Sequence, residues 1–170
     1  TIVETKDLTK NYDDTVAVNG LNLRIEEGDI FGFLGPNGAG KTTTILMLLG
    51  LTEPTSGSAV VGGYNSTREP LNVKSIAGYV PEKAGFYENL TAVYNLTYTA
   101  QLNGLPDELA EKRVAEALKI VGLTERADDP VGQYSRGMKQ RLAVADVLVK
   151  MPQIAILDEP TAGIDPEGIN

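Results

Sequence analysis

Residues 35–42 read Gly-Pro-Asn-Gly-Ala-Gly-Lys-Thr, and this octet decides how the rest of the chain is interpreted. It follows the apolar run Ile30–Leu34, which predicts a buried strand. It precedes residues 43–49, which predict a helix that ends at Gly50. The order of strand, glycine-rich loop and helix indicates a loop that holds the phosphates of a nucleotide. The alternative is a glycine-rich turn that Lys-Thr follows by chance.

Each part of this loop has an expected role in binding phosphate. Glycines let consecutive backbone N–H groups turn toward one point, and the helix N-terminus adds partial positive charge. Lys41 is expected to reach the β- and γ-phosphates, and the Thr42 hydroxyl is expected to help hold Mg²⁺. The predicted contacts to the nucleotide are made by Gly35, Pro36, Asn37, Gly38, Ala39, Gly40, Lys41, Thr42 and Thr43.

The composition is that of a globular chain with an acidic balance. Apolar residues make up 42% of the 170 residues, which is enough for one domain with a sizeable core. The 15 basic and 23 acidic residues give a net charge of −8, which argues against nucleic acid as the main partner. The absence of cysteine excludes disulfides and thiolate metal sites.

Periodicity divides the chain into a β-rich part and a helical part. Residues 21–25 alternate apolar and polar side chains, which predicts a half-buried strand. Further strands are predicted at residues 2–3, 16–18, 58–61, 75–80 and 153–157, and helices at residues 91–102, 106–121 and 140–150. We expect an α/β core of residues 1–82 and 141–170, with an antiparallel β portion and a helical insert at residues 83–140.

A second motif, Ile154-Ala155-Ile156-Leu157-Asp158-Glu159, places two carboxylates at the end of an apolar strand. The pleat of a strand points neighbouring side chains in different directions. Asp158 is therefore expected to face Mg²⁺, and Glu159 is expected to act as general base on an attacking water. The alternative interpretation is an apolar strand that ends in two solvated acids with no catalytic role. The presence of the octet at residues 35–42 favours the catalytic interpretation.

A third motif, Tyr134-Ser135-Arg136-Gly137-Met138, lies shortly before the two acids. Here the chain resembles the nucleotide-binding domain of ATP-binding cassette (ABC) proteins, whose signature reads Leu-Ser-Gly-Gly-Gln. The resemblance implies that Ser135 and Gly137 contact the γ-phosphate of ATP, whereas Arg136 and Met138 depart from the common form. Ser135 can equally be the N-cap of a helix, and the two interpretations are compatible.

The resemblance extends over nearly the whole chain and implies further site residues. Tyr12 matches the position where the family stacks an aromatic ring on adenine, although it could be only a strand-end tyrosine. Glu82 stands where the family has the glutamine of its Q-loop and could bind Mg²⁺, or be a solvated loop acid. Asp165 matches the D-loop, which crosses between two nucleotide sites, or belongs to a simple Asp-Pro turn. Residues 85–91 resemble the exporter-like (ABC-2 type) branch.

One family element is missing, because the chain contains no histidine. The family places a switch histidine a few tens of residues after the D-loop, at the end of another core strand. We therefore expect these residues to be part of a longer domain. Alone, they are expected to fold poorly and to lack ATPase activity.

The resemblance implies a phosphate-loop NTPase core that works as a Mg²⁺-dependent ATPase, with Lys41 and Glu159 as catalytic residues. Two such domains would pair head to tail over two ATP molecules. They would drive a transmembrane permease at the cytoplasmic face of the membrane, docked in the cleft near residues 82–94. The alternatives are a soluble cassette ATPase of translation or DNA repair, and a regulator that binds nucleotide without hydrolysing it.

Overall fold

A computed structural model describes residues 1–159 of the chain. The chain forms two compact units that meet in the sequence between Ala77 and Gly78. This boundary follows the packing of the backbone. The functional division into residues 1–82 with 141–170 and residues 83–140 stays a prediction.

The first unit contains a four-stranded antiparallel sheet. Its strands are β1 (Val3–Tyr12), β2 (Thr15–Ile25), β3 (Ser56–Val61) and β4 (Tyr64–Asn65), in the order β2-β1-β3-β4. The β1–β2 hairpin runs from the pair Val3–Ile25 to the pair Tyr12–Thr15. Residues 21–25 alternate between partly buried and exposed side chains, as their sequence predicts.

Two helices accompany the sheet of the first unit. They are α1 (Lys41–Leu48) and α2 (Pro70–Ile76). Met47 on α1 and Val73 on α2 are almost completely buried, as is Leu8 on β1. The chain leaves α1 through Gly50, whose φ is 62° and where an added Cβ would lie 2.4 Å from the Ser66 carbonyl oxygen. The helix therefore ends where its sequence predicts.

One strand prediction, at residues 30–34, is wrong, and another, at residues 75–80, begins two residues too early. Residues 30–34 form no strand, and Ile30 and Leu34 are 103% and 94% exposed. An apolar run becomes a strand only when a neighbour pairs with its backbone, and among the described strands neither sheet edge, β2 or β4, does so. Residues 75–76 belong to the end of α2, because Pro70 at the first helical position favours a helix through them.

The second unit contains a two-stranded sheet and a bundle of three helices. The strands are β5 (Ala77–Val80) and β6 (Ile154–Leu157). The helices are α3 (Ala92–Leu102), α4 (Asp107–Ile120) and α5 (Arg136–Lys150). Short 3₁₀ turns lie at Thr124–Arg126 and Val131–Gln133.

The three helices enclose a common apolar core. Leu96, Val114 and Leu142 are buried in it, one from each helix, together with Leu123 and Val131 from the connecting segments. The predicted N-cap Thr91 accepts a hydrogen bond from the Tyr94 backbone N–H over 3.1 Å. Within residues 1–159, no helix is long and apolar enough to cross a lipid bilayer.

Candidate functional site

The predicted phosphate-binding loop runs directly into the first turn of α1. Gly38 and Gly40 have φ values of 81° and 84°, a conformation that other residues rarely adopt. The Gly40 carbonyl accepts hydrogen bonds from the backbone N–H and the hydroxyl of Thr44, over 2.8 and 2.9 Å. Because Thr44 is buried, these bonds fix the angle at which the loop enters the helix.

Position 40 requires glycine because of its surroundings as well as because of its positive φ. An added Cβ would lie 2.2 Å from the Ala17 carbonyl oxygen and 3.1 Å from Val18 Cγ2. The β2 backbone thus supports the loop from behind. The first N–H groups of any helix lack partners within that helix, so a loop held at this point suits an anion.

Lys41 is directed back over the loop that precedes it. Its Nζ donates to the carbonyl oxygens of Gly35 and Pro36, over 2.7 and 3.0 Å. The ammonium therefore lies at the opening of the loop, where the phosphates of a nucleotide would be held. Thr42 is exposed, and Thr43 is partly buried. These positions fit a bound nucleoside triphosphate, and the individual contacts remain predictions.

Tyr12 lies at the end of β1 and is 47% exposed. The Lys10 ammonium is 5.0 Å from the centroid of its ring, which is a cation–π distance. Lys10 also donates to the Glu53 carbonyl oxygen over 2.8 Å, so this cation is held in place. The ring is available to a base, and its stacking on adenine stays a prediction.

In the second unit, the predicted acids follow two strands that end side by side. The Asp158 backbone N–H donates to the Val80 carbonyl oxygen over 2.8 Å, so β5 and β6 end side by side. Glu82 follows β5 by two residues, and Asp158 and Glu159 follow β6 directly. The fold therefore places the end of β5, which Glu82 follows, beside the end of β6, which Asp158 and Glu159 follow.

The two adjacent acids lie beyond the end of β6, so the pleat of a strand does not orient them. β6 ends at Leu157, and Glu159 has a left-handed φ of 51°. Asp158 is 4% exposed, whereas Glu159 is exposed to solvent. The two acids therefore differ in exposure, and the chain bends after β6 where the sequence predicted strand geometry. The directions of their side chains stay a prediction.

Tyr79 on β5 is a neighbour of Asp158 that sequence reasoning missed. Its hydroxyl donates to Asp158 Oδ2 over 3.5 Å. Burial raises the pKa of Tyr79, and the negative charge of Asp158 raises it further, so the hydroxyl stays protonated. Its position three residues before Glu82, and one residue before the end of β5, was the available signal.

Asp158 and Thr42 are of the ligand types that a Mg²⁺ ion bound to a nucleotide requires. Within the described part of the chain, no group of three or more acidic, histidine or cysteine side chains could hold a metal. Mg²⁺ in phosphoryl-transfer sites is usually bound by one or two protein oxygens together with phosphate oxygens and water. Single ligands such as Asp158 and Thr42 fit this pattern.

The signature segment caps α5. The Ser135 side chain accepts a hydrogen bond from the Met138 backbone N–H over 3.2 Å, which confirms it as the N-cap. The helix begins at Arg136, four residues before the predicted start at 140, because this cap satisfies its first turn. Open space surrounds Gly137, so a ligand can approach its backbone. The contact with γ-phosphate remains a prediction.

The segment after Glu82 is fastened to the start of α5. The backbone N–H of Gly132 donates to the Glu88 carbonyl oxygen over 2.7 Å, and that of Val131 donates to Leu90 over 3.0 Å. Lys139 Nζ contacts Glu88 Oε1 at 2.5 Å. Sequence reasoning missed these links, because they join positions about 40 to 50 residues apart. Asp165 lies outside the described residues.

A family model described as ABC transporter matches residues 18–162. The chain belongs to the ABC transporter family. The matched span includes the phosphate-binding loop, the signature segment and both acids after β6. The ABC family resemblance seen in the motifs is therefore confirmed.

Curated ABC proteins resemble the chain over almost its entire length. It is 48% identical over 169 residues to the bacitracin transport ATP-binding protein BcrA of Bacillus licheniformis. It is 42% identical over 169 residues to the linearmycin resistance ATP-binding protein LnrL of Bacillus subtilis (strain 168). Both alignments cover 99% of this chain and 54% of the relative. The chain thus spans about half the length of these relatives.

Solved ABC structures share the fold. The chain superposes on an ATP-binding subunit of an ABC transporter with a TM-score of 0.87 and 32% identity, over 98% of this chain and 69% of that one. It superposes equally well on cbiO1 from Clostridium perfringens, part of the ABC transporter complex cbiONQ, with 34% identity, over 98% of this chain and 68% of that one. The predicted phosphate-loop NTPase fold class is therefore confirmed.

Proposed function

We propose that the chain is the ATP-binding and ATP-hydrolysing part of an ABC exporter's motor subunit. The observation that carries this proposal is the loop of residues 35–42. It is held by Gly40 against β2, enters α1 directly, and has the Lys41 ammonium at its opening. Membership of the ABC transporter family supports ATP as the nucleotide.

The proposed chemistry uses positioned charges. Lys41 and the loop N–H groups hold the β- and γ-phosphates, and the ring of Tyr12 stacks on adenine. Thr42, Asp158 and Glu82 are the side chains that would hold Mg²⁺, which neutralises negative charge on the phosphate oxygens when it is bound. Glu159 accepts the proton of the attacking water, which suits an exposed carboxylate beside a buried one.

Catalysis is proposed to need two copies, arranged head to tail. Ser135 and Gly137 of one copy would face the γ-phosphate bound to the loop of the other. The exposed Ser135 and the open space at Gly137 support this role, since neither is closed off by its own chain. Asp165 is proposed to lie where the two sites meet.

The motor is proposed to dock on a transmembrane permease at the cytoplasmic face of the membrane, through residues 82–94. The links from Glu88 and Leu90 to the segment before α5 support this assignment. A movement at the docked segment would be passed along these bonds to the signature, and hence to ATP. The family relationship and the cbiONQ complex support a membrane partner.

The exported substrate is proposed to be an antibiotic or a similar amphiphile, because relatives are named for bacitracin transport and linearmycin resistance. A soluble ATPase of translation or DNA repair fits less well. The net charge of −8 opposes the basic surface that such partners require.

Removal of the Lys41 ammonium tests the nucleotide site. We expect Lys41→Ala in the full chain to weaken Mg-ATP binding at least about tenfold, because charge-assisted hydrogen bonds to phosphate are lost. Titration calorimetry measures the affinity, and Lys112→Ala on the exposed side of α4 is the control. Unchanged affinity of Lys41→Ala would refute the assignment.

A further inference from the structure

Glu88, in the loop before α3, contacts the chain on both sides of the signature segment. Its carbonyl oxygen accepts a hydrogen bond over 2.7 Å from the backbone N–H of Gly132, which precedes Ser135. Its carboxylate Oε1 lies 2.5 Å from the ammonium of Lys139, which follows Ser135. One residue from a distant part of the sequence therefore holds both flanks of the stretch that contains Ser135.

The backbone contact between Glu88 and Gly132 is close. An added Cβ at Gly132 would lie 3.0 Å from the Glu88 carbonyl oxygen and 3.5 Å from the Glu88 Cβ. Farther along the same two segments, Thr91 and Pro130 form an antiparallel β-bridge. The loop before α3 and the segment before the signature therefore run side by side, which fixes the backbone position of Glu88.

These contacts leave Ser135 itself exposed. Tyr134, the residue before it, is buried in the bundle, and Glu88 holds the chain farther out on each side. A shift of either flank would therefore move the Ser135 hydroxyl relative to a ligand. Because catalysis is sensitive to a displacement of about 1 Å, the contacts of Glu88 bear on the rate of a reaction at Ser135.

The exposure of the ion pair favours a role in positioning over a role in stability. The side chains of Lys139 and Glu88 are 31% and 65% exposed, and ion pairs in such surroundings contribute little to the stability of a fold. A direct contact of Lys139 with phosphate is the alternative. The ammonium is already engaged by the Glu88 carboxylate, which favours the first interpretation.

We propose that Glu88 and Lys139 are positioning residues for ATP hydrolysis, and that their ion pair sets where Ser135 is presented to the nucleotide of the opposite copy. This inference rests on the proposed role of Ser135 across the pair of copies, and it requires no membrane partner. Because the ion pair is exposed to solvent, its effect on the rate should weaken as the ionic strength rises.

The test measures kcat and KM for Mg-ATP in the full chain and its variants. Glu88→Gln and Lys139→Gln should each lower kcat at least about threefold and leave KM within about twofold, because Ser135 acts only in the reacting pair. Glu88→Lys combined with Lys139→Glu should restore at least about half of the parent kcat, since the ion pair forms again with reversed charges. Glu4→Gln and Lys6→Gln, which break an exposed ion pair on β1, are the matched controls and should keep the parent kcat.

The unfolding of the variants in urea distinguishes positioning from stability. The midpoints for Glu88→Gln and Lys139→Gln should equal that of the parent, because an exposed ion pair contributes little to stability. A lowered midpoint, together with a kcat that the double reversal does not restore, would reduce the pair to a structural role and overturn the inference.

The remaining outcomes separate this inference from the proposed function. Parent-like kcat in both Glu88→Gln and Lys139→Gln would overturn the positioning role while leaving the ATPase in place. A loss with Lys139→Gln alone would assign Lys139 to the phosphates and overturn the role of the ion pair. If the parent hydrolyses no ATP, the proposed function is refuted and the inference with it.

Discussion

At the scale of single residues, the proposed nucleotide site contains two glycines with different surroundings. Gly40 combines a φ of 84° with a contact that would place a Cβ 2.2 Å from the Ala17 carbonyl oxygen. Gly137 also lies in the proposed site, but nothing lies within 4 Å of an added Cβ there. The two glycines therefore serve different purposes, one in folding and one in ligand access.

Alanine at these two glycines should separate the two purposes. We expect Gly40→Ala to lower the free energy of unfolding by at least about 1–3 kcal/mol, from left-handed strain and the clash with β2. Gly137→Ala should leave stability unchanged or slightly higher, because alanine favours helix. Urea unfolding of the full chain measures both. Equal stability of the parent and Gly40→Ala would contradict the support from β2.

Asp146 makes stability depend on pH in a predictable direction. Burial raises its pKa in the folded state, and Thr99 and Lys150 oppose this only in part. A carboxyl group with a raised folded-state pKa destabilises the fold when it is ionised, so the penalty is present at neutral pH and disappears on acidification. Asp146→Asn should therefore be more stable than the parent at pH 7.

The measurement compares urea unfolding of the parent, Asp146→Asn and Glu111→Gln over a range of pH. The advantage of Asp146→Asn should shrink as the pH falls through the folded-state pKa and below that of the unfolded chain. Glu111→Gln, at an exposed site, should show no such trend. A variant that is less stable than the parent at pH 7 would show that hydrogen bonding at Asp146 outweighs burial.

At the scale of elements, α5 serves both the fold and the proposed chemistry. Ser135 is the N-cap of this helix. Tyr134, the residue that precedes Ser135, is buried, and its hydroxyl donates a hydrogen bond to the Arg126 carbonyl oxygen over 2.5 Å. The Lys139 ammonium, near the start of the helix, forms an ion pair with the Glu88 carboxylate. Two contacts therefore join the signature segment to other parts of the bundle, which suits the proposed presentation of Ser135 to a second copy.

Substitutions of Ser135 can separate its two roles. Aspartate is also a good N-cap, so Ser135→Asp should fold as stably as the parent while repelling the γ-phosphate of the opposite subunit. Ser135→Ala should lose about 1 kcal/mol of stability. We expect Ser135→Asp to abolish hydrolysis by the full chain and to leave ATP binding to the monomer intact. Hydrolysis at the parent rate would remove Ser135 from the catalytic site.

Elements with a strong local signal were predictable from the sequence. The caps at Thr91 and Ser135 and the apolar spacing of α4 depend on residues within one or two turns. Residues 30–34 were mispredicted, because whether an apolar run becomes a strand depends on a distant partner. The same holds for the site, where the octet was evident, whereas the contact between Tyr79 and Asp158 depends on long-range packing.

At the scale of the whole molecule, the proposed roles are distributed between two compact units. The first contains the phosphate-binding loop and Tyr12, and the second contains the acids and the signature segment. In the proposed function, all of these groups except the signature segment act within one copy. The proposed head-to-tail pair adds the signature segment of one copy to the phosphate-binding loop of the other.

Turnover by Glu159→Gln tests the central claim of an ATP-driven motor most directly. Glutamine keeps the size of the side chain but cannot accept a proton from water, so the phosphates stay bound and hydrolysis stops. The measurement is steady-state phosphate release by the full chain with Mg-ATP, combined with light scattering to determine the oligomeric state. We predict a rate at least about 100-fold below the parent and a stable dimer that forms only with ATP. Phosphate release within a few-fold of the parent, with no ATP-dependent dimer, would contradict the account.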